Sequence, residues 1–459
     1  MNNDRTQIGM GPGATLQGAP TVALDPNRTQ MAPPPTPGGM GGVPGGSPLA
    51  LSVRVGARVA DAGQRTRQHV VTQVTAVGSG GGVGGQRLPV NVALVIDRSG
   101  SMEGAPLEYV KQACAYVVDM LTPNDVLSIV TFEETVDVLM AARRVTDPGL
   151  IKQHIARIVA GNTTNLFDGL YAGASQVAAV PMQGYVTRVL LLTDGEPTAG
   201  LRDFQSIVNQ VGDLKAKGIT VTALGFGPEY NEELMAGIAR RSGGNYYHIE
   251  RPEMIPDVFR REMEQVLGVT ARNLRLTFQL PVGAMVSQVF GSPPNFGPRT
   301  AEIALGDLEQ GATVTKVWEM DWEARTPGTY RVAKAVLSFE NGSTGRTETL
   351  TANAVVEFSR DAAKIAAGAD PLVAQEVQVA RASRDLERTM MGMRTQQISV
   401  AQVTQSLERT QALLTQQGRI AEAQEVAQAA QAARRGDTNN LDKTLIGTIY
   451  HLDQGKRGR

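Results

Sequence analysis

The chain has 459 residues and is nearly neutral, with 44 Lys and Arg residues against 45 Asp and Glu residues. This length allows roughly two or three domains with separate cores, and the charge balance argues against nucleic acid or an anionic membrane as a partner. The single cysteine, Cys114, excludes an internal disulfide bond. No apolar stretch is long enough for a membrane span, and the chain does not begin with a basic-then-apolar signal segment, so we expect a cytoplasmic protein.

The first half of the chain divides by composition and periodicity. Residues 1–47 are rich in Gly, Pro, Met and Thr, which is typical of a disordered tail. Residues 48–87 contain candidate strands, because apolar and polar residues alternate along them. Residues 88–267 alternate buried-strand and helix patterns. This alternation predicts an α/β, Rossmann-like domain with a mostly parallel sheet and helices on both faces.

After residue 268 the pattern changes. Apolar residues at every second position across residues 268–360 predict an antiparallel β-sandwich, and we expect the strands of residues 48–87 to pair with it. The α/β domain would then be an insertion. Residues 361–435 are rich in Ala and Gln and carry apolar residues at seven-residue spacing, which predicts a C-terminal helical hairpin. Residues 436–459 are predicted to form a second flexible tail.

A short turn rich in oxygen-bearing side chains follows the first strand of the α/β region. The apolar residues 92–96 lead into Asp97-Arg98-Ser99-Gly100-Ser101. Open α/β sheets bind ligands beyond the carboxyl ends of their strands, and such oxygens suit Mg²⁺ better than Zn²⁺. One alternative is a helix N-cap, which favours the same residue types. A phosphoryl-transfer aspartate is another, but that enzyme would be expected to carry a carboxylate at position 99.

With this turn, the chain resembles the von Willebrand factor type A (VWA) family, in a bacterial cytoplasmic form with a metal-ion-dependent adhesion site. The family's Asp-x-Ser-x-Ser motif, threonine and second aspartate correspond to Asp97, Ser99, Ser101, Thr164 (with Thr163 as the alternative) and Asp194. The resemblance implies that these residues hold Mg²⁺, with Mn²⁺ or Ca²⁺ as alternatives, directly or through water. It also implies an open coordination position for a Glu or Asp of a partner protein.

A six-residue pattern recurs four times: acidic or Asn, basic, Thr, any residue, Ile or Met, then Gly or Ala. Its threonines are Thr6, Thr29, Thr389 and Thr444. A threonine beside a basic residue in an exposed, flexible segment is suited to Ser/Thr kinases. The segments resemble substrates of bacterial eukaryote-type kinases, whose phosphothreonines are bound by forkhead-associated domains. Coincidence of composition, an unmodified docking peptide or, for Thr389, a helix surface are the alternatives.

These observations favour a non-enzymatic, Mg²⁺-dependent scaffold that binds the carboxylate of a partner protein. A second interpretation is an adaptor or substrate in a Ser/Thr kinase circuit with a forkhead-associated partner. A third is a co-factor subunit of an AAA+ ATPase, as cytoplasmic proteins with this domain often are. An enzyme is the least favoured class, because no Ser/His/Asp set, nucleotide-binding loop or transition-metal cluster emerges from the sequence.

Overall fold

The computed structural model describes residues 47–77, 87–181 and 183–457. The predicted tail of residues 1–47 lies outside these ranges except for residue 47, and Thr6 and Thr29 lie outside them with it. Three strands come first in the described chain: β1 (Leu49–Val55), β2 (Val59–Asp61) and β3 (Thr66–Ala76).

An α/β unit follows these strands. Its elements are β4 (Val90–Asp97), α1 (Ala105–Met120), β5 (Val126–Phe132), β6 (Val136–Arg144), α2 (Pro148–Ala156), α3 (Leu166–Ala178), β7 (Val186–Thr193), α4 (Phe204–Ala216), β8 (Thr220–Phe226), α5 (Glu232–Ser242), β9 (Tyr246–Ile249) and α6 (Ile255–Leu267). The six strands lie in the order β6-β5-β4-β7-β8-β9, and neighbours are parallel except for β5 and β6.

The central strands of this sheet explain the apolar runs in the sequence. Every residue of β4 and β7 is buried, because helices α1, α2 and α6 pack on one face and α3, α4 and α5 on the other. Strands covered on both faces have near-continuous apolar sequences. The predicted Rossmann-like sheet with helices on both faces is therefore confirmed.

A β-sandwich follows the α/β unit. Its strands are β10 (Val269–Gln279), β11 (Ala284–Val289), β12 (Asn295–Gly297), β13 (Thr300–Glu309), β14 (Thr313–Trp322), β15 (Gly328–Asn341), β16 (Thr347–Ser359) and β17 (Lys456–Arg457). One sheet has the order β1-β3-β14-β11, with β17 also on β14, and the other has the order β12-β13-β10-β15-β16-β2. Trp318 and Trp322 are fully buried in the core between the sheets. Strands from before the α/β unit therefore complete both sheets.

Helices form the remainder of the described chain: α7 (Ala362–Ala367), α8 (Pro371–Arg394), α9 (Val400–Gln416), α10 (Ile420–Arg435) and α11 (Thr438–Gln454). The predicted helical character of residues 361–435 is confirmed, but the predicted two-helix hairpin is instead a short helix followed by three longer ones. The predicted flexible tail of residues 436–459 is wrong for residues 438–454, which form α11. Asp437 caps this helix by accepting a hydrogen bond from the Asn440 N–H at 3.0 Å. The segment is polar in overall composition, but it carries buried leucine and isoleucine side chains at four-residue spacing, which form the apolar face of a helix: Leu441, Leu445 and Ile449.

Helix α11 packs against the α/β unit as well as against the other C-terminal helices. The Lys443 ammonium donates to the Tyr230 carbonyl at 2.8 Å and to Glu232 at 2.7 Å, and it lies 4.1 Å from the centre of the Tyr230 ring. The Tyr450 hydroxyl donates to the Gly244 carbonyl just before β9. Helix α11 is thus a structural part of the α/β unit's surface. None of the helices in the described ranges combines the length and apolar character needed to cross a membrane.

We predict that Lys443→Ala lowers the free energy of unfolding by about 3 kcal/mol, because it leaves buried partners of a charge unpaired. The matched control is Lys364→Ala, whose ion pair with Glu357 is exposed on both sides and should contribute less than about 1 kcal/mol. Urea denaturation followed by circular dichroism measures both changes. Equal losses in the two variants would contradict this account of α11.

Candidate metal centre

Two carboxylates meet at the carboxyl edge of the α/β sheet. Asp97 is the last residue of β4, and Asp194 directly follows β7. Since β4 and β7 are adjacent and parallel, their carboxyl ends lie side by side. The sheet topology therefore brings together two aspartates that are about one hundred positions apart in the sequence.

The two serines of the turn face the second aspartate. The Ser101 hydroxyl donates to Oδ1 of Asp194 at 2.8 Å, and the Ser99 hydroxyl lies 3.4 Å from the same oxygen. The two hydroxyl oxygens are 3.2 Å apart. A single 3-10 turn over Gly100–Met102 follows Ser99 and holds this arrangement. Neither serine makes a side-chain cap for that turn, so the helix-cap alternative does not explain them.

Asp97 is held from both sides. Its Oδ1 accepts the Ser99 N–H at 2.8 Å, and its Oδ2 accepts the Thr193 hydroxyl at 2.5 Å. Thr193 was not among the predicted site residues. Its only signal in the sequence is its position directly before Asp194, where it ends the same buried strand.

Thr164 joins the site from the loop before α3. Its carbonyl accepts the N–H groups of Thr198 and Ala199 at 2.9 and 3.2 Å, and its own N–H donates to the Thr198 hydroxyl at 3.0 Å. A Cβ placed on Gly195 would lie 3.4 Å from the Thr164 hydroxyl, so this hydroxyl is beside the segment that carries Asp194. The Thr163 hydroxyl is buried and has no hydrogen-bond partner within the described residues.

An ion pair fixes the Thr164 loop relative to the turn. Arg98 contacts Glu133 at 3.1 Å, and the other oxygen of Glu133 accepts the Asn162 N–H at 2.9 Å. The Gly161 N–H donates to the Arg98 carbonyl at 2.6 Å. The Asn162 N–H, followed by the charge of Arg98, holds the pKa of Glu133 below its usual range. Sequence reasoning missed Glu133, because no motif links it to the turn.

The electrostatics of the site favour a cation. Burial raises the pKa of Asp97 to about 6, although hydrogen bonds from Thr193 and Ser99 act in the opposite direction. Burial also raises the pKa of Asp194. Within the described ranges, neither carboxylate pairs with a Lys, Arg or His side chain. Two buried carboxylates without a counter-charge are costly, and a bound ion would remove that cost.

The donor set fits a hard divalent ion. It comprises two carboxylates and three hydroxyls, whereas transition-metal sites in proteins usually contain His or Cys. Among the residues that the structure describes, no group of three His, Cys, Asp or Glu side chains could hold a metal. The metal centre would therefore depend on hydroxyl oxygens for part of its coordination, which suits Mg²⁺, Mn²⁺ or Ca²⁺.

The family model of the von Willebrand factor type A domain matches residues 91–261. The chain contains a VWA domain. An uncharacterized protein of Synechocystis sp., sll0103, is 28% identical over 66% of this chain and 73% of its own length. YfbK of Escherichia coli is 30% identical over 41% of this chain and 34% of its own. Inter-alpha-trypsin inhibitor heavy chain H4 of Homo sapiens is 27% identical over 42% of this chain. This chain matches only 23% of the human protein.

Two solved structures share the fold beyond the VWA domain. A von Willebrand factor type A protein from Catenulispora acidiphila has a TM-score of 0.68 at 16% identity, covering 84% of this chain and 90% of its own. The ArnB paralog VWA2 from Sulfolobus acidocaldarius has a TM-score of 0.62 at 17% identity, covering 88% and 98%. At these identities the likeness shows the fold alone.

Two of the four repeated threonines lie inside packed helices. The Thr389 hydroxyl donates to the Asp385 carbonyl and is hydrogen-bonded to Ser406, both at 2.8 Å, and Thr444 donates to the Asn440 carbonyl at 2.8 Å. Both residues are less than one tenth exposed. Bonds to the carbonyl four residues earlier are an ordinary way for threonine to be satisfied within a helix. The expectation of an exposed, flexible segment is wrong for Thr444, and Thr389 is not on an open helix surface.

We predict that Asp97→Asn stabilises the protein when divalent ions are chelated. The folded-state pKa of Asp97, about 6, lies above its ordinary value of 3.8, so the folded protein binds this proton more tightly than the unfolded chain does. The stability that the protonated carboxyl provides is therefore lost as the pH rises through this interval. Near pH 8 in EDTA the variant should be more stable than the wild type by about 3 kcal/mol, and the difference should vanish below pH 4. Urea denaturation across this range measures it. If the free energies of unfolding of the wild type and the variant changed in parallel with pH, Asp97 would not carry a buried, uncompensated charge.

Proposed function

We propose that this protein captures a partner protein through a divalent ion, Mg²⁺ above all, at the carboxyl edge of its VWA sheet. The observation that carries the proposal is the meeting of two buried carboxylates and the hydroxyls of Ser99 and Ser101 with no cation beside them in the described chain. The Thr164 hydroxyl lies beside the segment that carries Asp194. VWA domains commonly serve as protein-interaction scaffolds. A non-enzymatic binding role is the function that this site supports best.

Each residue of the site has a distinct task in this proposal. Asp97 and Asp194 supply the negative charge, while Ser99, Ser101 and Thr164 supply neutral oxygens. When bound, the ion would provide a positive centre to which a Glu or Asp of the partner can be attracted. Such a contact is charge-assisted and partly desolvated, so its loss should remove most of the affinity.

The surrounding residues prepare the site before any partner arrives. Thr193 orients the carboxylate of Asp97. The Arg98–Glu133 pair holds the Thr164 loop against the turn. Because these contacts are already made, little ordering of the chain is needed on binding, and preorganisation of this kind increases affinity.

We predict that Asp97→Ala abolishes both ion binding and partner capture without unfolding the domain. Isothermal titration with MgCl₂, MnCl₂ and CaCl₂ measures the ion directly and ranks the alternatives. A pull-down from a lysate of the source cells, with Mg²⁺ or with EDTA, measures the partner. The matched control is Asp213→Ala, since Asp213 is an exposed carboxylate on α4. Partner capture that survives Asp97→Ala would defeat the proposal.

The kinase-circuit interpretation now depends on the N-terminal copies of the threonine pattern. Thr6 and Thr29 lie outside the described residues, and their phosphorylation and recognition by a forkhead-associated protein stay predictions. The AAA+ co-factor role and the cytoplasmic location also stay predictions. No contact within the described ranges favours any of these over the metal-dependent role.

We predict that a Ser/Thr kinase from the source cells modifies Thr6 and Thr29 in the folded, full-length protein but leaves Thr389 and Thr444 unmodified. The reason is that a kinase needs an extended, accessible substrate segment, whereas the last two residues are buried in helices. Mass spectrometry of phosphopeptides measures this, with urea-unfolded protein as the control in which all four become accessible. Modification of Thr444 in the folded protein would contradict the structure, and an unmodified Thr6 and Thr29 would end the kinase interpretation.

A further inference from the structure

A cleft of about 980 Å³ lies where the VWA domain, the β-sandwich and the C-terminal helices meet. Its walls come from α4 and α5 of the VWA domain, β13 and part of β10 of the sandwich, and helices α8 and α11. None of the residues of the candidate metal centre lines it. The cleft is therefore a second surface, separate from the site to which we assign partner capture.

One part of this cleft is strongly cationic. Lys215 comes from the last turn of α4, Arg241 from the last turn of α5, and Arg275 from β10 of the sandwich. Within the described residues, neither Lys215 nor Arg241 has a carboxylate within 4.0 Å, whereas Arg275 contacts Glu302 at 3.1 Å. The lining as a whole holds five Lys and Arg residues against three Glu residues. The positive charge is thus only partly compensated.

Two of these cations lie close enough to the third to affect its pKa. Burial, followed by repulsion from Arg275 and Arg241, lowers the pKa of Lys215. The Lys215 ammonium also lies against the end of α5, since a Cβ on Gly243 would be 3.1 Å from its nitrogen. Arg275 and Arg241 therefore both repel the Lys215 ammonium, Asp307 opposes them only in part, and an anion beside Lys215 would relieve the repulsion.

The helix dipole explains only part of this arrangement. Cations in the last turn of a helix interact favourably with its C-terminal carbonyls, and this accounts for Lys215 on α4 and Arg241 on α5. Arg275 lies on a β-strand of the other domain and gains nothing from a helix end. Arg275 already pairs with Glu302, yet it lines the same cleft as Lys215 and Arg241. This meeting of cations from two domains, two of them without a carboxylate within 4.0 Å in the described residues, is what suggests an anionic ligand.

Another part of the lining is apolar. Phe204 opens α4, eleven positions before Lys215, so about 16 Å of helix separates the aromatic from the cationic end. Phe204 is 42% exposed, and Met390 and Ile446 of the C-terminal helices add further apolar surface to the cleft. A ligand that fits must combine negative charge with apolar groups over this length.

We propose that this cleft binds an acidic peptide segment of a partner protein. Its carboxylates would lie between Lys215, Arg241 and Arg275, and its apolar side chains would pack on Phe204, Met390 and Ile446. A small inorganic anion would leave the apolar surface and most of the volume unused. A peptide matches the charge, the apolar area and the length together.

The test uses the full-length protein and a short fluorescein-labelled peptide of alternating Glu and Leu, with fluorescence anisotropy as the readout. EDTA is present throughout, so the candidate metal centre cannot contribute to binding. Lys215→Glu combined with Arg241→Glu should weaken binding at least about tenfold. The matched control, Arg143→Glu combined with Arg157→Glu, makes the same change in net charge at exposed positions outside the cleft and should leave the affinity nearly unchanged.

Two further arms separate a peptide site from general charge attraction. A Gln and Leu peptide of the same length should not bind, and Phe204→Ser should weaken binding of the Glu and Leu peptide without any change in charge. Circular dichroism confirms that each variant is folded. Equal losses in the cleft and control variants, or equal binding of the Gln and Leu peptide, would overturn the proposal. The proposal would also be overturned if inorganic phosphate displaced the peptide and Phe204→Ser had no effect on peptide binding, because the cleft would then be a simple anion site.

Discussion

The antiparallel ladder between β3 and β14 is the contact on which the architecture depends. It joins residues 66–75 to residues 313–322, and the whole VWA domain lies between these two segments in the sequence. Trp318 donates to the Thr72 hydroxyl across the ladder at 3.0 Å in the buried interior. The ladder thus closes a loop that contains the VWA domain together with strands β10 to β13. Helix α8 then packs on the same ladder through Val373 and Val377.

The candidate metal centre follows from a second constraint, the adjacency of β4 and β7. Parallel neighbours end at the same edge, so Asp97 and Asp194 must approach each other although both are charged and buried. Folding to this state costs free energy that Thr193 and the serine hydroxyls offset only in part, as the raised pKa of Asp97 indicates. Binding sites often retain such unfavourable electrostatics, because the ligand supplies the missing charge.

Helix α5 and the loop before it connect the surroundings of the candidate metal centre to the cationic cleft. Glu229, in the loop before α5, is close enough to raise the pKa of Asp194, and the same helix ends in Arg241 at the cleft. Lys443 of α11 contacts Glu232 at the start of α5, so the C-terminal helix supports the element that borders both surfaces. The two binding surfaces that we propose are thus supported by the same C-terminal helix.

The sequence by itself determined the features that are local or periodic. The Asp97 turn and the alternation of strand and helix could be recognised because each depends on residues close together in the chain. Only the tertiary structure decided which surfaces became buried. It paired Glu133 with Arg98 and brought the Thr193 hydroxyl to the carboxylate of Asp97. It also placed α11 against the VWA domain, although residues 436–459 have the composition of a flexible tail. The same six-residue pattern surrounds Thr6 and Thr444, yet the burial of Thr444 results from its packing partners, which a short pattern does not specify.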